Sequence, residues 1–321
     1  MIIQGHLEKL STIRSLLTHP AVSQDDINRK LVNVFAQVEY ERHHYHNHWS
    51  QVIRASCQDN PAFFNDTQDK RFVDVQRFSY PPDHRASIGR CNWGGKPVFY
   101  CSSENGVPIF EVRPKINQTI VLSNWVDKRN EGPEINHPIR LDGFITGVEQ
   151  LLATLPDNIT NKTLKESLLN DDLFNPAIPT AIKEVDTYVG KLFSESHIEG
   201  SNLYQFTSSI AQLLMSGLDC LVYPSVESRI SGYNIAIKKE IVRDRLKVYG
   251  AAMYQVVERD EQIARYVLKP KKSLFIHPVY KKPVWLNVHS KHDHERFIID
   301  PTTPTAPFDT AELLDHEDFA D

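Results

Sequence analysis

The chain has 321 residues, 40% of them hydrophobic and 24% charged, which is typical of a soluble globular protein with a sizeable core. The net charge of -5 argues against a broad nucleic-acid-binding surface. Six acidic residues lie in the last thirteen positions, and the rest of the chain is nearly neutral, with 36 basic and 35 acidic residues. With no apolar run of eighteen residues, no signal-peptide pattern and four cysteines that lack C-x-x-C spacing, we expect a cytoplasmic protein without membrane segments, disulfides or structural zinc.

The N-terminal segment shows helical periodicity over residues 5 to 48, where Leu31, Phe35 and Val38 recur at i, i+4 and i+7. A break and restart is expected near His19-Pro20 and the acidic residues that follow it. These patterns predict a helical N-terminal unit over residues 1 to 48.

The pattern changes from about Ser50, where short apolar runs alternate with Pro, Gly and Asn and predict strands at 51–57, 96–102 and 118–125. Residues 140 to 216 return to helical periodicity, and Gly217 is expected to stop the last helix. Further strands are predicted at 220–223, 234–237 and 246–257. Strands, then helices, then strands again favour an α+β fold over regular βαβ alternation.

Several familiar catalytic motifs are absent. No G-x-G-x-x-G follows a predicted strand, and the sequence at 93–97 departs from a phosphate loop because Pro97 stands where Ser or Thr is needed. There is also no G-x-S-x-G elbow and no H-E-x-x-H helix. Dinucleotide dehydrogenases, P-loop NTPases, serine hydrolases of that type and zincins are therefore disfavoured.

Two segments, 81–114 and 204–237, carry a more specific pattern. The first contains a G-R-x-N turn, a strand and a short helix, and the second contains a helix, a strand, a Y-P-S element and a G-x-N element. The residues that define this pattern are Gly89, Arg90, Asn92, Tyr100, Glu111, Ser225, Gly232 and Asn234. In order and spacing the two segments resemble the RES domain, a family named for Arg, Glu and Ser, over roughly residues 50 to 257.

The resemblance implies an ADP-ribosyltransferase-like mixed β core at 49–258. The stretch between Trp125 and Leu203 departs from the family because it is longer than a compact RES domain needs, so a helical insertion is expected at about 126–203. Residues 259–321 are expected to form a C-terminal extension with an acidic tail. The resemblance also implies an enzyme that cleaves NAD at the nicotinamide–ribose bond and passes ADP-ribose to phosphate or water. NAD is then a substrate, and no cofactor or metal is expected. A toxin-type growth inhibitor with a cognate antitoxin protein is the implied biology, and homo-oligomerisation is left open.

The resemblance also assigns the site. The catalytic candidates are Glu111, Arg90, Tyr100 and Ser225. Glu111 is the candidate for stabilising the oxocarbenium-like ribose that forms when the glycosidic bond breaks, because a fixed carboxylate lowers the energy of that cation. Arginine binds pyrophosphate through two parallel hydrogen bonds, which lysine does less well, so Arg54 and Arg90 are the expected pyrophosphate-binding residues. The NAD-binding candidates are Arg54, Asn92 and Asn234, with Arg77 as the runner-up for the leading arginine. Each residue alone is equally typical of a turn, a cap or a solvated helix face.

Other interpretations remain open. The acceptor of ADP-ribose could instead be a macromolecule. Arg42 and His48 match the R-x(4–6)-H pattern of HEPN-type ribonucleases on a helix, which would make the chain an RNA-directed or interaction protein with a vestigial cleft. Metal binding by His44 with His48, or by the histidines at 289, 292 and 294, lacks carboxylate or cysteine partners nearby, so a solvated polar helix face is the expectation.

Overall fold

The computed structural model describes residues 2–16, 23–37, 45–104, 106–132, 134–148, 151, 180–195, 203–225, 232–277, 279–289, 292 and 294–300. The α-helices within these ranges are α1 (Ile2–Leu16), α2 (Gln24–Gln37), α3 (Val107–Val112), α4 (Thr180–Phe193), α5 (Leu203–Leu214) and α6 (Lys239–Arg245). Short 3-10 helices lie at Pro61–Phe64, Val75–Phe78 and Asp83–Arg85. None of the helices in these ranges combines the length and apolar character needed to cross a lipid bilayer.

Eleven strands are present in the described ranges, and they form two sheets. They are β1 (Tyr45–Trp49), β2 (Val52–Gln58), β3 (Val98–Cys101), β4 (Thr119–Asp127), β5 (Ile139–Ile145), β6 (Cys220–Pro224), β7 (Tyr233–Lys238), β8 (Leu246–Asp260), β9 (Arg265–Ile276), β10 (Pro283–Asn287) and β11 (Phe297–Ile299).

The first sheet has the order β1-β5-β6-β7-β3, and β5 and β6 are its parallel pair. The second has the order β10-β9-β8-β4-β2, with β11 also paired to β9, and its pairs are antiparallel. The two sheets meet at one seam, where an isolated bridge pairs Ile53 of β2 with Ser102, the residue after β3. Backbone hydrogen bonds of 2.7 and 2.9 Å run in both directions across this bridge.

In the described part of the chain, three apolar cores separate the layers. The largest lies between the two sheets, because alternate residues of each strand point to one face. A second core lies between the other face of the five-stranded sheet and helices α1, α2, α4 and α5, and a third joins α3 to the other face of the six-stranded sheet. One mixed and one antiparallel sheet, with most helices gathered on the outer face of the mixed sheet, confirm the α+β class.

Helix α2 shows how the sequence builds the helical layer. The Ser23 hydroxyl accepts a hydrogen bond of 3.2 Å from the Asp26 amide, which caps the first turn. Ile27, Leu31 and Val34 follow at i, i+4 and i+7, and all three are buried in the second core. Of the predicted stripe, Leu31 is buried and Phe35 is partly buried against the same core, so the helical prediction is confirmed there, while Val38 and the His19-Pro20 break lie outside the described residues.

Three sequence predictions are corrected. Residues 45–49 form β1 and are not helical, so the predicted boundary at 48 falls inside a strand. Helical periodicity was predicted from 140, but Ile139–Ile145 is β5, a strand of the five-stranded sheet, and it lies inside the predicted insertion. The predicted boundary at 258 falls inside β8, which ends at Asp260, and β9, β10 and β11 continue the same sheet beyond it. Parts of the predicted insertion, mainly 149–150, 152–179 and 196–202, lie outside the described residues.

Candidate functional site

A cavity of about 270 Å³ opens beside the seam between the two sheets. Residues from seven separate segments meet in its wall, which explains why no single stretch of sequence shows the site. The lining residues come from β2, the turn before β3, β3, α3, α5, β6 and β7, and they are Arg54, Ala55, Gly89, Arg90, Tyr100, Cys101, Pro108, Glu111, Val112, Tyr204, Tyr223 and Asn234.

Glu111 reaches the cavity from the short helix α3. Ile109 and Phe110 of this helix are buried in the third core, which fixes how the helix lies against the six-stranded sheet. The helix ends at Arg113, whose φ of 44° is in the left-handed region and cannot continue α-helical geometry. One short turn of helix, anchored by two apolar side chains, therefore places the carboxylate.

Two donors hold the same carboxylate oxygen of Glu111. Ser225 Oγ donates to Oε1 at 2.6 Å, and Asn234 Nδ2 donates to Oε1 at 2.7 Å. Hydrogen bonds of this length to a carboxylate are charge-assisted and favour the ionised form. Glu111 is thus an oriented negative charge in the cavity wall.

The segments that carry these two donors depend on one glycine. Gly232 has a φ of 123°, and a Cβ at this position would lie 2.4 Å from Val107 Cγ2 in α3. Its carbonyl accepts a hydrogen bond of 3.2 Å from the Ser225 amide. Only glycine fits here, so the G-x-N element keeps both Ser225 and Asn234 close to α3.

The turn before β3 is built around the hydroxyl of Tyr100. This hydroxyl donates to Asn92 Oδ1 at 2.9 Å and accepts from the Cys91 amide at 2.7 Å. Asn92 Nδ2 donates in turn to the carbonyls of Ser87 and Trp93. A Cβ on Gly89 would lie 2.5 Å from Asn92 Oδ1 and 2.9 Å from the Tyr100 hydroxyl, so the G-R-x-N pattern is explained by packing.

Arg90 lies in the cavity wall with its guanidinium directed at the end of α4. Nη1 donates to the carbonyls of Phe193 at 2.7 Å and Leu192 at 3.4 Å, and Nη2 donates to that of Glu195 at 3.0 Å. These are carbonyls that a helix C-terminus leaves without intrahelical partners. The same guanidinium lies 5.5 Å from the ring centre of Tyr204 in α5. Arg90 is only 7% exposed, so its position is set by the protein.

Arg54 presents a different kind of cation. Its Nη1 donates to the Tyr100 carbonyl at 2.9 Å, and its buried Nε has no hydrogen-bond partner. Among the residues that the structure describes, no carboxylate forms an ion pair with it. Burial lowers the pKa of Arg54 to about 10, so it stays charged at neutral pH. A cation held in this way is suited to an anionic ligand.

Aromatic hydroxyls complete the wall. Burial raises the pKa of Tyr100 and Tyr223 well above the usual value, so both phenols stay neutral. The strand pleat places them together with Asn234, because Tyr223 pairs with Asn234 across β6 and β7 and Tyr100 lies on the same face.

The predicted site residues fall into three groups. Five of them, Arg54, Arg90, Tyr100, Glu111 and Asn234, line the cavity. Ser225 and Asn92 contact lining residues from behind. The structure does not bring Arg77 to the cavity: its side chain binds Asp74 and the Phe63 carbonyl and stacks on the Phe63 ring.

Sequence reasoning missed Tyr204, Tyr223 and Gly89 as lining residues. Tyr223 belongs to the Y-P-S element, but every residue of β6 is buried, so strand periodicity offered no signal for it. Tyr204 stands in the first turn of α5 and resembles an ordinary amphipathic helix residue. Nothing in its local sequence distinguishes it.

The histidine-rich segment differs from the expected helix. His48 is exposed on the edge strand β1, paired with Arg140 of β5, while Arg42 and His44 lie outside the described residues. The predicted helical R-x(4–6)-H arrangement is therefore wrong in its secondary structure. In the described part of the chain, no group of three His, Cys, Asp or Glu residues is arranged to hold a metal ion.

Comparison with known proteins gives little. No protein-family model matches the chain, and no curated protein matches it. One solved structure with similarity is the crystal structure of the M. tuberculosis MbcT-MbcA toxin-antitoxin complex, with a TM-score of 0.32 and 10% sequence identity, over 67% of this chain and 89% of that one. A likeness of this size carries no argument about function.

Proposed function

We propose that the chain cleaves NAD at the nicotinamide–ribose bond and transfers ADP-ribose to phosphate or water. The observation that carries the proposal is the Glu111 carboxylate, oriented in a cavity wall by Ser225 and Asn234. The same wall contains Arg54, a cation without a carboxylate partner among the described residues. NAD has matching charges, an anionic pyrophosphate and a ribose that becomes cationic during cleavage.

In this reaction the main contribution of the protein is electrostatic stabilisation of the cationic ribose. When the bond between ribose C1″ and the nicotinamide nitrogen breaks, its electron pair stays on the nitrogen and positive charge develops on the ribose. An oxygen of phosphate or water then bonds to C1″, and in the case of water a proton is released to solvent. Glu111 stabilises the cationic stage, and because two donors already orient it, little reorganisation is needed.

Arg54 is the better candidate for the pyrophosphate. Its guanidinium retains an unpaired Nε, whereas both Nη atoms of Arg90 are bonded to carbonyls at the end of α4. Arg90 is therefore assigned to shaping the wall, together with Tyr204. The volume of about 270 Å³ lies just below the range of about 300–1,000 Å³ for sites that enclose small ligands. We expect it to enclose one half of the dinucleotide.

The order and spacing of the two motif segments support the wider proposal. They resemble the RES domain, and with it we propose an ADP-ribosyltransferase-like core, a growth-inhibiting role in the cytoplasm and a cognate antitoxin that binds the enzyme. Expression of the wild-type chain and of a Glu111→Gln variant in a bacterial host tests the role. Growth inhibition by both chains would show that the toxicity does not depend on the Glu111 carboxylate of the cavity.

The decisive experiment is incubation of the purified chain with NAD, with and without inorganic phosphate, followed by identification of the products. ADP-ribose 1″-phosphate indicates phosphorolysis, and ADP-ribose indicates hydrolysis. ADP-ribose attached to protein or nucleic acid from an added lysate would instead identify a transferase with a macromolecular acceptor. Intact NAD in every arm would contradict the proposal.

The competing ribonuclease interpretation has its own test. His48→Ala alters an exposed residue of an edge strand, so the fold should tolerate it. We expect NAD cleavage and growth inhibition to persist in this variant. Retained NAD cleavage with toxicity lost would assign the biology to the N-terminal segment.

A further inference from the structure

The C-terminal end of α4 is held from two sides. On the cavity side, the guanidinium of Arg90 binds the carbonyls of Leu192, Phe193 and Glu195. On the outer side, Arg14 of α1 binds the side chain of Glu195 through both carboxylate oxygens, with Nη1 to Oε1 at 2.8 Å and Nη2 to Oε2. One residue, Glu195, thus connects the N-terminal helices to an arginine of the cavity wall.

The two contacts constrain each other through a short path. Glu195 offers its carbonyl to Arg90 and its carboxylate to Arg14, and few bonds separate these two groups. Side-chain pairing by two parallel bonds is directional, so it fixes the carboxylate in orientation as well as in position. Glu195 lies beyond the last residue of α4, where its amide donates to the Leu192 carbonyl at 3.4 Å and its own carbonyl accepts from Arg90. Its position therefore depends on this backbone contact and on its two arginine partners.

Packing continues the same link. The second core contains Leu10 and Ile13 of α1 together with Cys91, the residue next to Arg90. Tyr188 of α4 lies beside Arg14 and raises its pKa together with Glu195, which contributes most. The N-terminal helical unit thus rests on the same helix end that Arg90 binds.

We propose that Arg14 is a positioning residue for Arg90: by holding Glu195, it fixes the end of α4 on which Arg90 and the adjoining cavity wall depend. The N-terminal helical unit is then part of the support of the binding site and not a separate module. The proposal rests on the proposed function only for the identity of the ligand, since the link itself is a property of the free protein.

The competing explanation is that Arg14 and Glu195 form an ordinary surface ion pair. Their side chains are 41% and 38% exposed, and ion pairs of this kind contribute little to global stability. Removing the pair should therefore leave the protein folded, so that an effect on the cavity can be observed separately. Arg245 with Asp219 is a matched control, because its side chains are 38% and 21% exposed and neither residue lines the cavity.

The experiment compares Arg14→Gln, Glu195→Gln and Arg245→Gln with the wild type. The first readout needs no ligand: side-chain nitrogen–proton resonances of Arg90, assigned with an Arg90→Lys variant, report whether its guanidinium protons stay protected by hydrogen bonds. The second readout is kcat and KM for NAD. Two variants that remove the pair from opposite sides keep the test valid if one of them fails to fold.

We expect Arg14→Gln and Glu195→Gln to speed the exchange of the Arg90 protons and to raise KM by about 3- to 10-fold with little change in kcat, the size usual for residues that act through a neighbour. The Arg245→Gln variant should match the wild type in both readouts. Unchanged Arg90 resonances in the folded pair variants would overturn the proposal. Altered Arg90 resonances in a protein that leaves NAD intact would instead contradict the NAD assignment and preserve the link.

Discussion

Glu111→Gln removes one negative charge from the cavity wall and almost preserves the volume of the side chain. The amide oxygen of glutamine still accepts from Ser225 and Asn234, so both hydrogen bonds at 2.6 and 2.7 Å keep their geometry. Bonds to a charged acceptor contribute about 1.5–3 kcal/mol each and bonds between neutral groups about 0.5–1.5 kcal/mol, so we expect a loss of about 1–3 kcal/mol in unfolding free energy.

The effect on catalysis should be much larger than the effect on stability. Removal of one preoriented electrostatic group typically lowers kcat by about 100- to 1,000-fold, because the group interacts most strongly with charge that develops in the transition state. The assay follows NAD consumption by product chromatography, beside thermal unfolding of the same samples. Glu240→Gln, which removes an exposed carboxylate from α6, is the matched control. Wild-type turnover by a folded Glu111→Gln variant would refute the mechanism.

Three further predictions concern binding, packing and pH. Arg54→Lys should weaken NAD binding by about 10-fold because one ammonium cannot replace the fork, while Arg77→Lys, outside the cavity, should leave the titrated affinity unchanged. Gly89→Ala should cost about 1–3 kcal/mol in thermal unfolding because its Cβ meets two oxygens below 3.0 Å, whereas Gly94→Ala, with its nearest atom at 3.9 Å, should be tolerated. Burial raises the pKa of the Cys91 thiol from 9 to about 12, so between these pH values the thiol is ionised in the unfolded chain but neutral in the folded one. The free energy of unfolding, measured by urea titration, should therefore fall as pH rises above about 9, and this fall should be smaller in Cys91→Ala.

Strong local patterns were sufficient for much of the fold. The apolar runs that predicted β2, β3 and β4 are confirmed, and so are the helical stripes of α4 and α5, because burial in the core determines both the pattern and the element. β5 was missed although its exposed Arg140 and Asp142 alternate with buried residues, since helical periodicity farther along the segment outweighed a seven-residue strand. β1 is short, polar and at an edge, so hydrophobic periodicity carries no signal for it.

Five of the predicted site residues line one cavity, but the contacts that they make there were not predictable from the sequence. Arg90 was expected to bind pyrophosphate, yet its partners are carbonyls at the end of a helix about a hundred residues away. Such a partnership follows from tertiary packing and leaves no trace in local sequence. The same holds for Arg77, whose residue type fits a clamp but whose position ties it to Asp74. The link from Arg14 to Glu195 likewise has no sequence signal.

The separation along the chain between Glu111 and its donors has a consequence for timing. Ser225 follows Glu111 by 114 residues and Asn234 follows it by 123. At about 5–20 residues per second, a ribosome needs about 6–23 s to add the first of these intervals after the carboxylate has been made. Throughout that interval a nascent chain holds the charged residue without the groups that orient it. Glu111 can therefore be fully oriented only in chains that extend past β7, and a nascent chain that ends before β7 cannot assemble this site.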